Sequence, residues 1–376
     1  MGWRTRCGSP VALAVGAVIV ACATAERAPA EDPAVAIAVD EAREELAGVV
    51  LTRRHFSLGS QVSATVAAPD SATAEAALTA AFAVMDSVET LTSLYVPASE
   101  INAVNEAAGR EPVVVSPWTE TILAAVLEWA ERSEGAFDPT VGPMVELWGF
   151  GRATVEAPSP ASLAEVRRRV GWRKVRLDPA AHTVFLTEPG MVLDLRAATK
   201  GFALDRGREA MQAAGVTSGI ADIGGDIIFF GPGTETSSDL WTISLPDPYD
   251  PGSTYARFEL PPGAVSTSAA LDRAIVIGGE RYGHLIDPRT GWPVQGLASV
   301  SAYAPDAMTS DMAATALYIL GPRDGPQLIE EWTGVEAVFV TEAEPRTRSV
   351  VIVTTGIERY RRELEPPYRP IAPEDE

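Results

Sequence analysis

Cysteine is almost absent from this chain: its 376 residues hold two, Cys7 and Cys22. Beyond residue 22 there is no thiol for a disulfide, a thiolate nucleophile or a cysteine-based zinc site. An exported domain of this kind would be held together by its core alone. Positive charge is scarce as well, with 30 Lys and Arg against 51 Asp and Glu and a formal net charge of −21. That balance excludes nucleic acid as a partner, because a phosphate backbone needs a basic face. An anionic substrate would need a local cation or metal to overcome the general field. Histidine is limited to His55, His182 and His284. There is no internal repeat, no Walker-type phosphate loop and no apolar run long enough to cross a bilayer comfortably.

The only extended apolar run is Val11 to Ala21, preceded by Arg4 and Arg6. It suits the core of a secretory signal. It ends in Ile19-Val20-Ala21-Cys22, which resembles a bacterial lipobox, so residues 1–21 are expected to be a lipoprotein signal peptide and Cys22 the lipidation site. Cys7 would leave with the signal. Residues 22–47 are rich in Ala, Glu, Asp and Pro and read as an acidic tether. Residues 361–376 read as a disordered acidic tail, which leaves 48–360 as one large folded domain.

Within that domain strands and helices mix. Phe56 to Ala67 reads as a strand pair or one bent strand. Asp70 or Ser71 could cap a helix running to about Leu91, and Ser116-Pro117 opens a second helix that Gly135 stops. Lys174–Leu177 and Thr183–Thr187 read as a hairpin. Thr199–Ala214 reads as a helix after a strand, and Ile220–Ile223 and Asp226–Phe230 flank a Gly224-Gly225 turn. Ala274–Ile277, Ser299–Tyr303, Val335–Val340 and Ser349–Val353 are further strands, with a helix over Ser310–Leu320. Hairpins outnumber βαβ units, so the expected class is α+β, with mixed, mainly antiparallel sheets and packed helices.

Four segments carry candidate chemistry. Asp311 and Thr315 are four residues apart and share a helix face. A carboxylate and a hydroxyl are hard oxygen ligands that suit Mg²⁺, although Asp311 could instead complement a helix N-terminus and Thr315 bond a backbone carbonyl. Asp194 to Gly201, followed by Asp205, reads as a strand-to-helix junction where backbone N–H groups and Lys200 could hold a phosphate. His284 stands beside a turn and three residues from Asp287, which makes it the best general-base candidate. His55 and His182 lie in strand-like contexts without acidic company. Gly135 to Pro143 is a rigid loop leading to Trp148 and Phe150, able to cover a flat ring system or simply to form a corner.

Together these segments resemble the FAD:protein FMN transferases, the ApbE-like flavin transferases. The family's Ser-x-Tyr-x-Pro-x-Ser-Glu is matched by Ser93 to Glu100, and its Gly-x-Phe-Asp-Pro-Thr-Val-Gly-Pro loop by Gly135 to Pro143. Its Asp-x-x-x-x-x-Lys-Gly-x-x-x-Asp segment is matched by Asp194 to Asp205, and its Gly-Gly-Asp turn by Gly224 to Asp226. Its Thr-Ser pair, His-x-x-Asp-Pro-x-Thr-Gly and Asp-x-x-x-Thr follow at Thr267-Ser268, His284 to Gly291 and Asp311 to Thr315. The matches come in the family's order. The resemblance implies transfer of FMN from FAD to a Thr or Ser hydroxyl of a partner protein, with AMP leaving. It implies Mg²⁺ on Asp311, Thr315 and the carbonyls of Ala197 and Ala314. It implies an FAD site lined by Leu58, Tyr95, Ala136, Phe137, Asp138, Lys200, Asp205, His284, Ile286 and Asp287, with His284, Asp311 and Lys200 in catalytic roles. It also implies an extracytoplasmic, lipid-anchored position in the cell envelope, periplasmic in a Gram-negative cell, beside a membrane redox subunit as acceptor. The chain departs from the family pattern at Arg196 and Ala269, where glycine is usual, at Leu271, where an aromatic is usual, and at Leu58-Gly59-Ser60. An FAD pyrophosphatase and a non-catalytic flavin-binding lipoprotein are the alternative readings.

Overall fold

The computed structural model describes residues 48–150, 156–233, 239–250, 252–269, 274–342, 349–366 and 368–371. The expected signal segment, the tether with Cys22, and Leu271 lie outside the described residues.

The described chain opens with a hairpin, β1 (Val49–Ser57) and β2 (Ser60–Ala68), closed by Leu58 and Gly59 at φ 54° and 69°. Helix α1 (Ser71–Thr92) follows, its first turn held by Asp70, which accepts from the Thr73 N–H at 2.7 Å. Next come α2 (Glu100–Glu106), β3 (Val113–Val114) and α3 (Pro117–Arg132), the last opened by Ser116 with proline just inside. Helices α4 (Gly142–Trp148) and α5 (Pro160–Arg167) precede the hairpin β4 (Val175–Asp178) and β5 (Thr183–Leu186). Helix α6 (Arg196–Ala213) leads to β6 (Ser218–Ile223) and β7 (Asp226–Phe230). Strands β8 (Trp241–Pro246), β9 (Thr254–Leu260) and β10 (Gly263–Ala269) follow. Two small hairpins come next, β11 (Ile275–Ile277) with β12 (Glu280–Tyr282), and β13 (Ile286–Asp287) with β14 (Trp292–Pro293). Strand β15 (Leu297–Ala304) precedes α7 (Ala307–Ile329), which breaks at Gly321. Strands β16 (Glu336–Thr341) and β17 (Val350–Val353), helix α8 (Thr355–Glu358), and strands β18 (Arg361–Leu364) and β19 (Arg369–Ile371) complete the described chain.

One nine-stranded sheet, ordered β1-β2-β6-β7-β10-β15-β16-β17-β19, organises the molecule. All its pairings are antiparallel except β17 with β19. The α+β expectation therefore holds. Side chains alternate across a strand, and here the alternation divides two cores. Val62, Ala64, Ile228, Ala264, Ala302 and Phe339 face α1, α6 and α7. Ile227, Phe229, Val265, Val338 and Val351 face a second layer, the three-stranded sheet β18-β9-β8.

Three expectations need correction. The chain does not become an irregular tail at residue 361, because β18 pairs with β9 and β19 with β17. Proline marked that segment as irregular, but Pro370 sits on the outermost strand, where a missing N–H costs no ladder bond. The layer-forming strands β8 and β9 were not anticipated at all. Finally, α6 begins at Arg196 after an irregular approach over residues 191–195, so Lys200 stands in its second turn and not at a strand-to-helix junction.

Candidate functional site

The site forms where α6 and α7 cross above the sheet. Gly201 permits the crossing: a Cβ there would lie 2.3 Å from the Ala307 carbonyl oxygen. The same residue donates its N–H to Asp311 Oδ2 at 3.1 Å. In a regular helix that N–H is aimed at the carbonyl four residues back, which is Ala197. The Asp311 carboxylate and the Ala197 carbonyl, both expected to hold the cation, are thus brought to one neighbourhood.

Asp311 is buried at the floor of this cluster. Burial pushes its carboxyl well above the usual range, and the nearby charge of Asp226 pushes the same way. The Lys200 ammonium and the Gly201 N–H pull it back. Lys200 reaches down from α6 to Asp226 Oδ2, 3.1 Å away at the start of β7. Thr315, one turn beyond Asp311 on α7, shares a hydrogen bond of 3.3 Å with Ser268 of β10. Ser266, two residues earlier on the same strand face, bonds Ser310 at 2.9 Å. A row of hydroxyls therefore ties α7 to the sheet beside the carboxylate.

Two hairpin turns stand side by side at this end of the sheet. β2 pairs with β6, and the turns Leu58-Gly59 and Gly224-Gly225 project together, each with both residues in the left-handed region. A Cβ on Gly224 would lie 2.9 Å from Ser60 Oγ and 3.4 Å from Lys200 Nζ. Leu58 holds a left-handed φ that a branched side chain adopts only with strain, and its side chain packs against the helix-facing core. The turn thus places Leu58 beside the Gly224-Gly225 turn, at the end of the sheet that carries Asp226.

The remaining predicted residues divide. Arg196 opens α6 and is gripped by Asp194 through Nε at 2.9 Å and Nη2 at 2.5 Å. That pairing, with the nearby Tyr95, holds the guanidinium charged. Tyr95 is 82% exposed, an aromatic ring open to a ligand. The Gly135 to Pro143 loop lies alongside, since Asp194 donates its N–H to the Pro139 carbonyl at 2.7 Å. The side chains of Ala136 and Phe137 are buried, so they offer a ligand backbone only. Asp138 accepts from the Thr140 N–H, the Thr140 hydroxyl and the Trp172 N–H, and burial raises its carboxyl. It shapes the loop and does not project from it.

Asp205 accepts from the Ala307 and Met308 N–H groups at 3.0 and 2.9 Å. It satisfies donors that the start of α7 leaves open, and so sets the height of the helix that carries Asp311 and Thr315. Asp287 is likewise engaged, bonding the Arg289 backbone at 2.8 Å and its guanidinium at 2.9 and 3.0 Å. Ile286 is buried against Met144 and Trp148. His284 is half-buried just before β13, which packs against α7, and the adjacent Leu285 rests on the helix-facing core. Ala314 is buried between Asp311 and Thr315. The expectation that His55 and His182 lack acidic partners fails, because His55 Nε2 meets Asp86 at 2.8 Å and His182 Nδ1 meets Glu120 at 2.6 Å. His182 also sits in the turn before β5, at φ 53°, and not in a strand. Asp226 and Ser268 were noticed only as parts of motifs; their alternation with the core residues of β7 and β10 was the signal that placed them on the helix face.

The donor set around Asp311 suits a hard cation. It offers carboxylate, hydroxyl and carbonyl oxygens, and among the described residues no group of three His, Cys, Asp or Glu side chains is close enough to form a metal cage. Mg²⁺ is bound in this manner, by one or two carboxylates with substrate phosphates and water completing the shell.

An α+β domain with an oxygen-donor cluster and an ammonium at a two-helix crossing has the chemistry of the proteins that handle phosphorylated ligands. Comparison gives the family. The ApbE family model matches residues 58–339, and the chain belongs to the ApbE family. A Treponema pallidum protein named FAD:protein FMN transferase is 35% identical over 278 residues, covering 70% of this chain and 77% of its own. A Rhodobacter capsulatus protein of the same name is 35% identical over 242 residues, covering 64% of this chain, which spans 46% of that relative. The crystal structure of the ApbE protein of Thermotoga maritima superimposes with a TM-score of 0.74 at 29% identity, covering 84% of this chain and all of that one.

Proposed function

We propose that the chain is an FAD:protein FMN transferase and that the Asp311 cluster is its catalytic centre. The observation that carries this reading is the convergence of Asp311, Lys200, Asp226 and Thr315 from three elements at the α6–α7 crossing, in a chain of this family. Asp311, Thr315 and the carbonyls of Ala197 and Ala314 would hold Mg²⁺, which when bound offsets phosphate charge and polarises the phosphoryl oxygens. Lys200 presents a second positive charge to the diphosphate. Tyr95 and Arg196 offer a ring and a guanidinium at the start of α6, where an aromatic part of FAD can stack. His284 takes the proton of the attacking hydroxyl.

The hydroxyl belongs to a Thr or Ser of the acceptor protein. Its oxygen bonds to the FMN phosphorus, the bond from that phosphorus to the bridging oxygen breaks, and AMP leaves. In the cell we place the enzyme on the extracytoplasmic face of a membrane, held through lipid on Cys22, with a membrane redox subunit as acceptor. The support is the lipobox-like sequence before Cys22 and the absence of any later cysteine.

Incubation with FAD, Mg²⁺ and an acceptor protein, read by in-gel flavin fluorescence and intact mass, tests the reaction. The expected result is one FMN added per acceptor, with AMP formed in equal amount. Rapid release of free FMN and AMP with no mass gain on several acceptors would make the chain a pyrophosphatase.

A further inference from the structure

The ammonium of Lys200 is a resident rival of any cation at Asp311, since its charge acts on that carboxylate. Lys200 and Gly201 are consecutive on α6, and Gly201 is already bonded to Asp311 at 3.1 Å. A lysine side chain has the reach and flexibility to turn from one carboxylate to another nearby. The Lys200 charge already acts on Asp311, opposing that of Asp226. In the structure the ammonium lies on Asp226, 3.1 Å away.

The surroundings favour that position. Asp226 is buried and begins β7 immediately after the Gly224-Gly225 turn. At Gly224 a Cβ would come within 3.4 Å of the ammonium and 2.9 Å of Ser60 Oγ. Glycine is needed there for the left-handed φ of 59° and for the closeness of Ser60, while the ammonium lies at ordinary contact distance from the turn. Two buried carboxylates, Asp226 and Asp311, thus share the influence of one ammonium.

We infer that Asp226 is a positioning residue: it holds the Lys200 ammonium to one side, so that Asp311 stays open to a divalent cation and Lys200 stays directed at the phosphates. The inference rests on the reading of Asp311 as a cation ligand. Without the Asp226 charge, Lys200 turns to Asp311 and competes with the metal. Asp226 then affects metal affinity mainly through Lys200.

A double-mutant cycle on the full chain tests this, with Mg²⁺ alone as titrant in calorimetry and no FAD present. Asp226→Asn should weaken Mg²⁺ binding about tenfold, in the range of coupled charged neighbours. In a Lys200→Met background the same change should cost less than about threefold. Asp226→Glu, which keeps the anion, should stay near wild type and covers the case in which the amide variant fails to fold. Equal weakening in both backgrounds would mean that Asp226 acts on the metal directly, and no weakening in either would mean that it does not position Lys200; both overturn the inference while leaving Asp311 as the ligand. No Mg²⁺ binding by the wild type would overturn the inference and the metal reading together.

Discussion

The two faces of the nine-stranded sheet are built from the same strands and do different work. On one face Ile227, Phe229, Val265, Val338 and Val351 meet Trp241, Ile243, Tyr255 and Phe258 of the second sheet, and polar groups buried there pair with one another, Thr267 with Ser301 and Tyr368 with Asp247, each at 2.8 Å. On the other, the alternate residues of the same strands include Asp226, Ser266 and Ser268, which meet Lys200, Ser310 and Thr315 on the helices. Burial of polar groups is costly unless each is paired, and on the helix face the pairing is supplied by two helix starts and a glycine crossing. The polar cluster thus lies on one side and at one end of the sheet, while the opposite side packs it against a second layer.

Substitutions on the two faces should separate activity from stability. The largest effect is expected for Asp311→Asn, which keeps the shape and removes the charge that a hard cation needs. Flavinylation should fall by roughly two orders of magnitude or more, the loss of several kcal/mol of transition-state stabilisation, with a melting temperature close to wild type. Phe258→Ala on the opposite face should do the reverse. It empties a fully buried site and should cost about 3–5 kcal/mol of stability, measured by denaturant unfolding, while kcat/KM per folded molecule holds.

Asp205 lies between these extremes, since it holds the start of α7 through two backbone N–H groups. Burial lifts its carboxyl to about 6, outweighing the Ala307 and Met308 N–H donors and Arg208. A carboxyl raised in the fold contributes stability that is complete below the unfolded pKa of about 3.9 and is lost as pH rises through the folded value. Relative to Asp205→Asn, the wild type should therefore lose on the order of 3 kcal/mol between pH about 4 and about 6, and nothing further above about 7. A flat difference across that range in paired melts would show that Asp205 is not so perturbed. The smallest effect is expected at Arg196, which is half exposed and paired with Asp194. Arg196→Gly should change stability by no more than about 1 kcal/mol and weaken FAD binding a few fold, read by flavin fluorescence.

Much of the fold was legible because its signals are local. Asp70 and Ser116 mark helix starts through side-chain oxygens that accept backbone N–H groups, and Gly224-Gly225 marks a hairpin because both residues need positive φ. The second sheet was not legible, because β9 is completed by β18 from more than a hundred residues further on. For the site, motif and spacing brought Asp311, Thr315 and Lys200 to notice. They could not show that Asp138 and Asp205 turn inward to bond backbone, because a carboxylate in a motif looks the same whether it meets a ligand or an N–H. Asp226 was hidden for the opposite reason: its role depends on Lys200, which only the packing of α6 over β7 brings near.

On this reading the helix-facing end of the sheet holds the cation and the FAD phosphates at Asp311. Crystals grown with Mn²⁺ and FAD, measured at the manganese absorption edge, test it most directly. One strong anomalous peak is expected at bonding distance, roughly 2.0–2.3 Å, from Asp311 and Thr315 oxygens and in contact with the diphosphate. A peak elsewhere in the molecule, or FAD bound with no metal at Asp311, would contradict it.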